Sequence, residues 1–328
     1  MQRWPRQVTA RRYSISKYLE RRKRERDMAV ESSDDIYALP EDCIATALSL
    51  TSPKDACRLS AVASTFRSAS QSDAVWGRFL PSDYRDIISR AVDGGDSLLA
   101  KFHSKKDLYL HLCDHPIVIE DGRKSFQLEK LSGKKCYMLS ARDLYIVWGD
   151  TPQYWRFISI PESRFLEVAE LLDVCWFEIR GKIKMSMLSS GTNYAAYLVY
   201  TCKTRLYGFD HQSADGYVGV SGRESEKRSV CLDPEGVQSQ RYQIVPRRVG
   251  WFYHRLTQMR NPEAMLPEEE TEQPKQRDDG WMEVELGECF VEEGQDGEME
   301  VSVMEVKGGN WKSGIVVQGI EIRPKERK

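Results

Sequence analysis

Apolar residues fall at helical spacing from Leu39 to Pro81. Leu39, Ile44, Leu48, Leu50, Leu59, Val62, Phe66, Val75, Trp76 and Phe79 recur at helical spacing. The spacing predicts three short helical segments. The second opens at Ser52-Pro53, with Asp55 three residues after the serine: the hydroxyl takes an orphan amide, and proline at the first helical position loses no donor. A stretch of about forty residues cannot bury enough apolar surface to be very stable alone. The stripe therefore reads either as an ordinary helical core or as a set of anchors for a partner. Helical character continues near 82–92 and again over Leu98 to Leu112, and Gly94-Gly95 between them marks a boundary.

From Ile117 the period changes to two. Strand-like runs recur at Cys136–Leu139, Trp155–Ile160, Val174–Ile183, Tyr194–Tyr200, Met282–Leu286, Met299–Val306 and Ile315–Ile322. Met282-Glu283-Val284-Glu285-Leu286 alternates cleanly, as an antiparallel strand with one wet face should. Arg164 to Leu172 is expected to hold a helical turn or two. Between 221 and 279 the alternation lapses into turn and charged residues, and a long loop is expected. Arg247-Arg248 and Trp251-Phe252-Tyr253 inside it either bind something or pack locally. The fold class expected is α+β and multidomain: a small N-terminal helical module, then a mostly antiparallel, two-sheet β-sandwich.

The ordered signals at the front, Leu39-Pro40, Ser52-Pro53-Lys54-Asp55, the Leu59/Val62/Phe66 ladder and Trp76/Phe79, resemble an F-box. The resemblance implies docking on a Skp-family adaptor and, through it, a cullin–RING ubiquitin ligase. The implied adaptor face is Leu39, Pro40, Ile44, Leu48, Pro53, Leu59, Val62, Phe66 and Trp76. Farther on, Val147-Trp148-Gly149-Asp150, Tyr154-Trp155, Ala169 to Trp176, Asp279 to Glu288 and Gly319 to Pro324 resemble, in order, the phloem protein 2 family of Nictaba-type lectins. That resemblance implies a jelly-roll-like sandwich that binds N-acetylglucosamine oligomers or N-glycan cores. Cys289-Phe290 departs from the family's paired phenylalanines. Trp148 and Trp155, seven apart, align with the tryptophans that shape the sugar site in such lectins, with Asp150 and Tyr154 beside them. An indole face suits the apolar face of a pyranose, but tryptophan is buried on average, so the pair is equally readable as core. Trp176, Trp281 and Trp311 are expected in the core.

Composition narrows the function. The chain has 328 residues, 41% hydrophobic and 30% charged, and a net charge of −2, which gives the whole molecule no nucleic-acid footprint. No apolar run approaches the roughly 18 residues of a membrane span. Residues 1–27 carry ten Arg and Lys against three acids and have no apolar signal core. They read as a disordered basic tail, a nuclear-import patch, or sequence preceding a start at Met28. The eight cysteines lie at least fourteen residues apart, which excludes CxxC-type zinc and redox motifs and suits reduced thiols in nucleus and cytoplasm. His111 and His115 have ligand spacing, but Pro116 ends their helix, and solvated histidines are expected. Glu283 and Glu285 share one strand face rather than facing across a cleft, so no glycosidase pair is expected. No catalytic constellation, metal or cofactor is expected.

The organisation expected is a basic tail over 1–35, an F-box over 36–83, a helical linker over 84–115 and the lectin-like sandwich over 116–328, with its loop at 221–279. The function that follows is the substrate-recognition subunit of a Skp–cullin–F-box ligase, binding a target that carries an N-acetylglucosamine glycan. The alternatives are a carbohydrate-binding lectin that acts without the ligase, or a reader of a protein degron whose sugar site is lost.

Overall fold

The structure, a computed structural model, describes residues 39–209, 213–223, 226–233 and 271–325. The basic tail and the Arg247-Arg248 and Trp251 segment lie outside the described residues. The chain divides into two compact units, 1–79 and 80–328.

The first unit holds four helices: α1 (Glu41–Ser49), α2 (Pro53–Leu59), α3 (Ser64–Ala69) and α4 (Asp73–Phe79). The Asp55 amide donates to the Ser52 hydroxyl oxygen at 3.1 Å, and Pro53 occupies the first helical position, as the sequence predicts. Ile44, Leu48, Ala56, Ala69, Val75 and Trp76 are buried together as the module's own core. The Trp76 indole N–H donates to the Ser70 carbonyl at 2.6 Å, and its ring meets Phe79 edge-on at 5.5 Å. These helices are too short to persist without that packing.

The second unit opens with α5 (Tyr84–Ser89), α6 (Gly95–Ala100) and α7 (Lys105–Asp114). They are not a linker. The Val92 amide donates to the Val118 carbonyl at 3.0 Å, the Tyr109 hydroxyl donates to the carbonyls of Glu129 and Lys130, and Lys135 pairs with Asp83 at 3.1 Å. Gly94-Gly95 is therefore a tight corner between packed helices rather than a boundary. A Cβ on Gly95 would lie 2.1 Å from the Ile88 carbonyl oxygen, so only glycine fits.

Fourteen strands follow among the described residues: β1 (Ile117–Ile119), β2 (Lys124–Leu128), β3 (Lys135–Ser140), β4 (Tyr145–Ile146), β5 (Trp155–Ile158), β6 (Val168–Leu171), β7 (Phe177–Lys184), β8 (Thr192–Tyr207), β9 (Ala214–Val220), β10 (Lys227–Val230), β11 (Lys275–Gln276), β12 (Met282–Val291), β13 (Glu298–Glu305) and β14 (Ser313–Pro324). One sheet runs β1-β2-β3-β14-β8-β12-β11, with β6 bridging β14 to β5; the other runs β10-β9-β13-β7-β4. Every strand pair is antiparallel. The sheets lie face to face: a Cβ on Gly181 of β7 would come within 2.9 Å of Leu139 on β3 and 3.6 Å of Ile320 on β14. The class expected from the sequence, a helical module followed by a mostly antiparallel sandwich, is the one the chain adopts.

Three local expectations are corrected. Lys227–Val230, placed in the long loop, is a strand paired with β9, and Lys275–Gln276 pairs with β12. Arg164 to Leu172 is not helical; its second half is β6, whose glutamate is held by Arg156 and Lys203. Glu283 and Glu285 are not a solvated face. Glu283 accepts from Arg277 at 2.8 Å and Arg323 at 2.6 Å, while Glu285 accepts from Lys325 at 2.6 Å and from Arg228. The alternation was read correctly, but the acidic side is covered by arginines and a lysine arriving from distant segments. Beside them Glu321 is buried against Arg164, Arg277 and Arg323.

Candidate functional site

The nine residues proposed for the adaptor face separate by exposure. Ile44, Leu48, Pro53 and Trp76 are buried in the helical module and hold it together; they present no surface to a partner. This corrects the assignment: helical spacing identifies apolar positions but not which side of a four-helix cluster they take. Leu59 and Phe66 are half-buried. Leu39, Pro40 and Val62 are exposed, Val62 by 69%. Leu50, in the same apolar series, is exposed too. A small module that leaves Leu39, Leu50 and Val62 uncovered offers apolar anchors of the kind partners cover.

In the second unit the residues proposed for sugar binding also part company. After β4 the chain turns through Val147–Thr151: the Gly149 amide donates to the Ile146 carbonyl, and the Thr151 amide to the Trp148 carbonyl, both at 2.9 Å. Trp148 sits in this turn at φ 60°. A left-handed conformation is unfavourable for a bulky residue, costing roughly 1–3 kcal/mol, and such strain gathers at functional sites. Trp148 is 54% exposed, with Tyr154 beside it at 6.2 Å, ring edge to face. Trp155 is 2% exposed, packed 6.2 Å from Phe177 in the core. It cannot stack on a sugar, and the two-tryptophan site reduces to Trp148. The reason is strand phase: Trp155 begins β5 pointing inward opposite Leu171.

Trp148 borders a surface groove of about 600 Å³, lined also by Arg142, Leu144, Tyr145, Asp150 and Phe157. Tyr145 and Asp150 are exposed at its rim. Arg142 lies 3.5 Å over the Phe157 ring and forks onto Glu167 at 2.8 and 3.0 Å. That hydrogen bonding holds the Glu167 carboxyl below its ordinary range. The groove thus offers two exposed aromatic side chains, a guanidinium held in place and an exposed carboxylate, the mix that neutral polar ligands with apolar faces require. Arg142 and Tyr145 were not singled out from the sequence. Neither has a periodic signal, since Arg142 precedes the strand that Tyr145 opens, and that strand is two residues long.

A phloem protein 2 family profile matches residues 134–324, and an F-box profile matches 36–78. The chain belongs to the phloem protein 2 family and carries an F-box. Among its relatives in Arabidopsis thaliana, the F-box protein PP2-B1 is 43% identical over 91% of this chain and 92% of its own length. The F-box protein PP2-B10 is 43% identical over 92% and 98%, and the putative F-box protein PP2-B12 48% identical over 88% and 97%. In this F-box phloem protein 2 chain the F-box match covers the four-helix module, and the second match covers β3 to β14. The groove at Trp148 lies wholly within the second match.

Trp176 and Trp311, expected in the core, are instead half-exposed, whereas Trp281 is buried. Trp176 precedes β7 and Trp311 precedes β14, where the inward alternation of the strands does not apply. No helix among the described residues is long and apolar enough to cross a membrane. His111 and His115 stack on each other at 4.6 Å, and burial followed by the neighbouring His115 and Lys101 lowers the His111 pKa.

Proposed function

We propose that this F-box protein is the substrate-recognition subunit of a Skp–cullin–F-box ubiquitin ligase, working by proximity rather than by chemistry of its own. The helical module binds a Skp-family adaptor through Leu39, Leu50 and Val62, with Leu59 and Phe66 at the edge. The groove at Trp148 binds an N-acetylglucosamine-containing glycan on the target, with Tyr145 and Trp148 stacking on the sugar and Asp150 and Tyr154 taking its hydroxyls. The nucleus and cytoplasm, where a Skp adaptor and reduced thiols coexist, are the proposed location.

The observation that carries this reading is the F-box match over a module whose surface keeps Leu39, Leu50 and Val62 uncovered. Co-expression with a Skp-type adaptor tests it. Val62→Asp abolishes co-purification while the melting temperature stays at the wild-type value; undiminished co-purification rejects the adaptor assignment. A second reading, a receptor that recognises a protein degron with its sugar site lost, draws support from the burial of Trp155. A glycan array probed with the full chain separates the two: no Trp148-dependent signal favours the degron reader.

A further inference from the structure

Serine or threonine precedes proline at just two places in the sequence, Ser52-Pro53 and Thr151-Pro152. A kinase whose pocket beyond the acceptor offers no partner for a backbone N–H selects proline there, since proline has no N–H to leave unpaired. The structure separates the two dipeptides. Pro53 is buried at the start of α2. The Ser52 hydroxyl is held from both sides, donating to the Asp55 carboxylate at 2.8 Å and accepting from the Asp55 amide at 3.1 Å. Both residues are withheld from an approaching enzyme.

Thr151-Pro152 is presented instead. It lies between β4 and β5, where the chain forms neither helix nor strand. Asp150, Pro152 and Gln153 are exposed, and Thr151 is half-buried. Among the described residues the Thr151 hydroxyl has one partner, the Asp150 carboxylate at 3.5 Å, too long to hold it. The backbone is the part a kinase has to open. The Thr151 amide donates to the Trp148 carbonyl at 2.9 Å, and the Thr151 carbonyl accepts from the amides of Tyr154 and Trp155 at 2.9 and 3.1 Å. Opening that turn also releases Trp148 from its φ of 60°, so the strain offsets part of the cost.

The same turn is a wall of the groove. Trp148, Gly149 and Asp150 line it, and Thr151 follows directly. A phosphate on Thr151 brings roughly −1.5 to −2 charges and three acceptor oxygens next to the Asp150 carboxylate. Among the described residues lining the groove Arg142 is the one cation, and its Nε and Nη2 are committed to Glu167 at 2.8 and 3.0 Å. Like charges one residue apart, with no ready cation between them, drive Asp150 from its place and load the Thr151–Trp148 hydrogen bond. We propose that Thr151 is the acceptor of a proline-directed protein kinase and that its phosphorylation closes the Trp148 groove to the target's glycan. In the transfer, Oγ1 of Thr151 attacks the γ-phosphorus of ATP, the bond to ADP breaks, and the hydroxyl proton passes to the kinase's base. The closure rests on the glycan reading of the groove; the acceptor role of Thr151 does not.

The test treats the full chain, co-purified with its adaptor, with ATP and a proline-directed kinase of the mitogen-activated class. Tandem mass spectrometry maps the phosphate, and calorimetry measures binding of an N-acetylglucosamine dimer. Wild type gains phosphate on Thr151, and dimer affinity falls about tenfold. Phosphatase treatment restores it, which a chain damaged by the incubation would not allow. Thr151→Val keeps the branched shape and the backbone bonds of the turn; it binds the dimer within about twofold of untreated wild type and no longer responds to the kinase. Two results overturn this inference while dimer binding stays intact: no phosphate on Thr151 of the folded chain, or complete phosphorylation with affinity unchanged. An untreated wild type that binds no dimer overturns the groove reading instead, and the closure falls with it.

Discussion

Replacing Lys312 by methionine isolates the buried Lys312–Glu305 pair, whose ammonium also holds the carbonyls of Cys175 and Asn310, just before Trp176 and Trp311. Methionine fills similar volume, so the change removes the charge and its three partners with little loss of packing. Glu305 then remains buried as an unneutralised carboxylate, supported only by the amides of Lys307 and Gly308, while the Cys175 and Asn310 carbonyls lose their donor. Stranding one member of a buried pair costs about 3–5 kcal/mol. For a unit of this size each kcal/mol moves the melting temperature roughly 2–4 °C, so a fall of about 10 °C is expected. Differential scanning calorimetry of the full chain measures it. Adding Glu305→Leu removes the stranded charge but not the unpaired backbone groups, so it returns part of the loss, roughly half. A Lys312→Met variant that melts with wild type would refute the reasoning. So would a double variant that is less stable than the single one.

Four further outcomes follow from the same geometry. Trp148→Gly relieves the positive φ and so leaves the melting temperature equal or higher, gaining up to roughly 1 kcal/mol, while glycan binding is lost; a lower melting temperature shows the turn is not strained. Leu48→Ala, in contrast to Val62→Asp, costs about 2–5 kcal/mol in the helical module, read as lost helical circular dichroism on mild heating. In acid, burial would raise the Glu321 pKa, but Arg164, Arg277 and Arg323 outweigh it and hold the carboxyl below its unfolded value of 4.5. Its contribution to stability is therefore complete above that value and is lost as pH falls through the depressed folded pKa; the melting temperature should decline there, less steeply in Glu321→Gln. Iodoacetamide followed by mass spectrometry should mark the exposed Cys43, Cys57 and Cys175 first and spare Cys113, whose thiol burial pushes up to about 12, and the buried Cys136.

The sequence showed the class of fold through its change of period at Ile117, and the cap at Ser52 through chemistry confined to four residues. Sidedness was not legible. Leu48 and Val62 obey the same helical spacing, yet one is sealed and the other open, because four helices too short to bury a full stripe divide it among themselves. Trp155 opens its strand and Trp176 just precedes one, the first inside and the second outside, and phase there is set by the pairing of Trp155 with Leu171 and of Val174 with Lys312, which no local pattern reveals. The basic cover over Glu283 and Glu285 comes from Arg228, Arg277, Arg323 and Lys325, assembled only when β10, β11 and β14 meet β12.

The central claim is that one chain grips an adaptor at one end and a glycan-bearing target at the other. A resin carrying N-acetylglucosamine oligomers tests it directly, with purified Skp-type adaptor applied alone or together with this chain. The account predicts adaptor retained only when the chain is present, and lost again with either Val62→Asp or Trp148→Ala. Adaptor flowing through while the chain stays on the resin, or a chain that holds adaptor but never the resin, would contradict it.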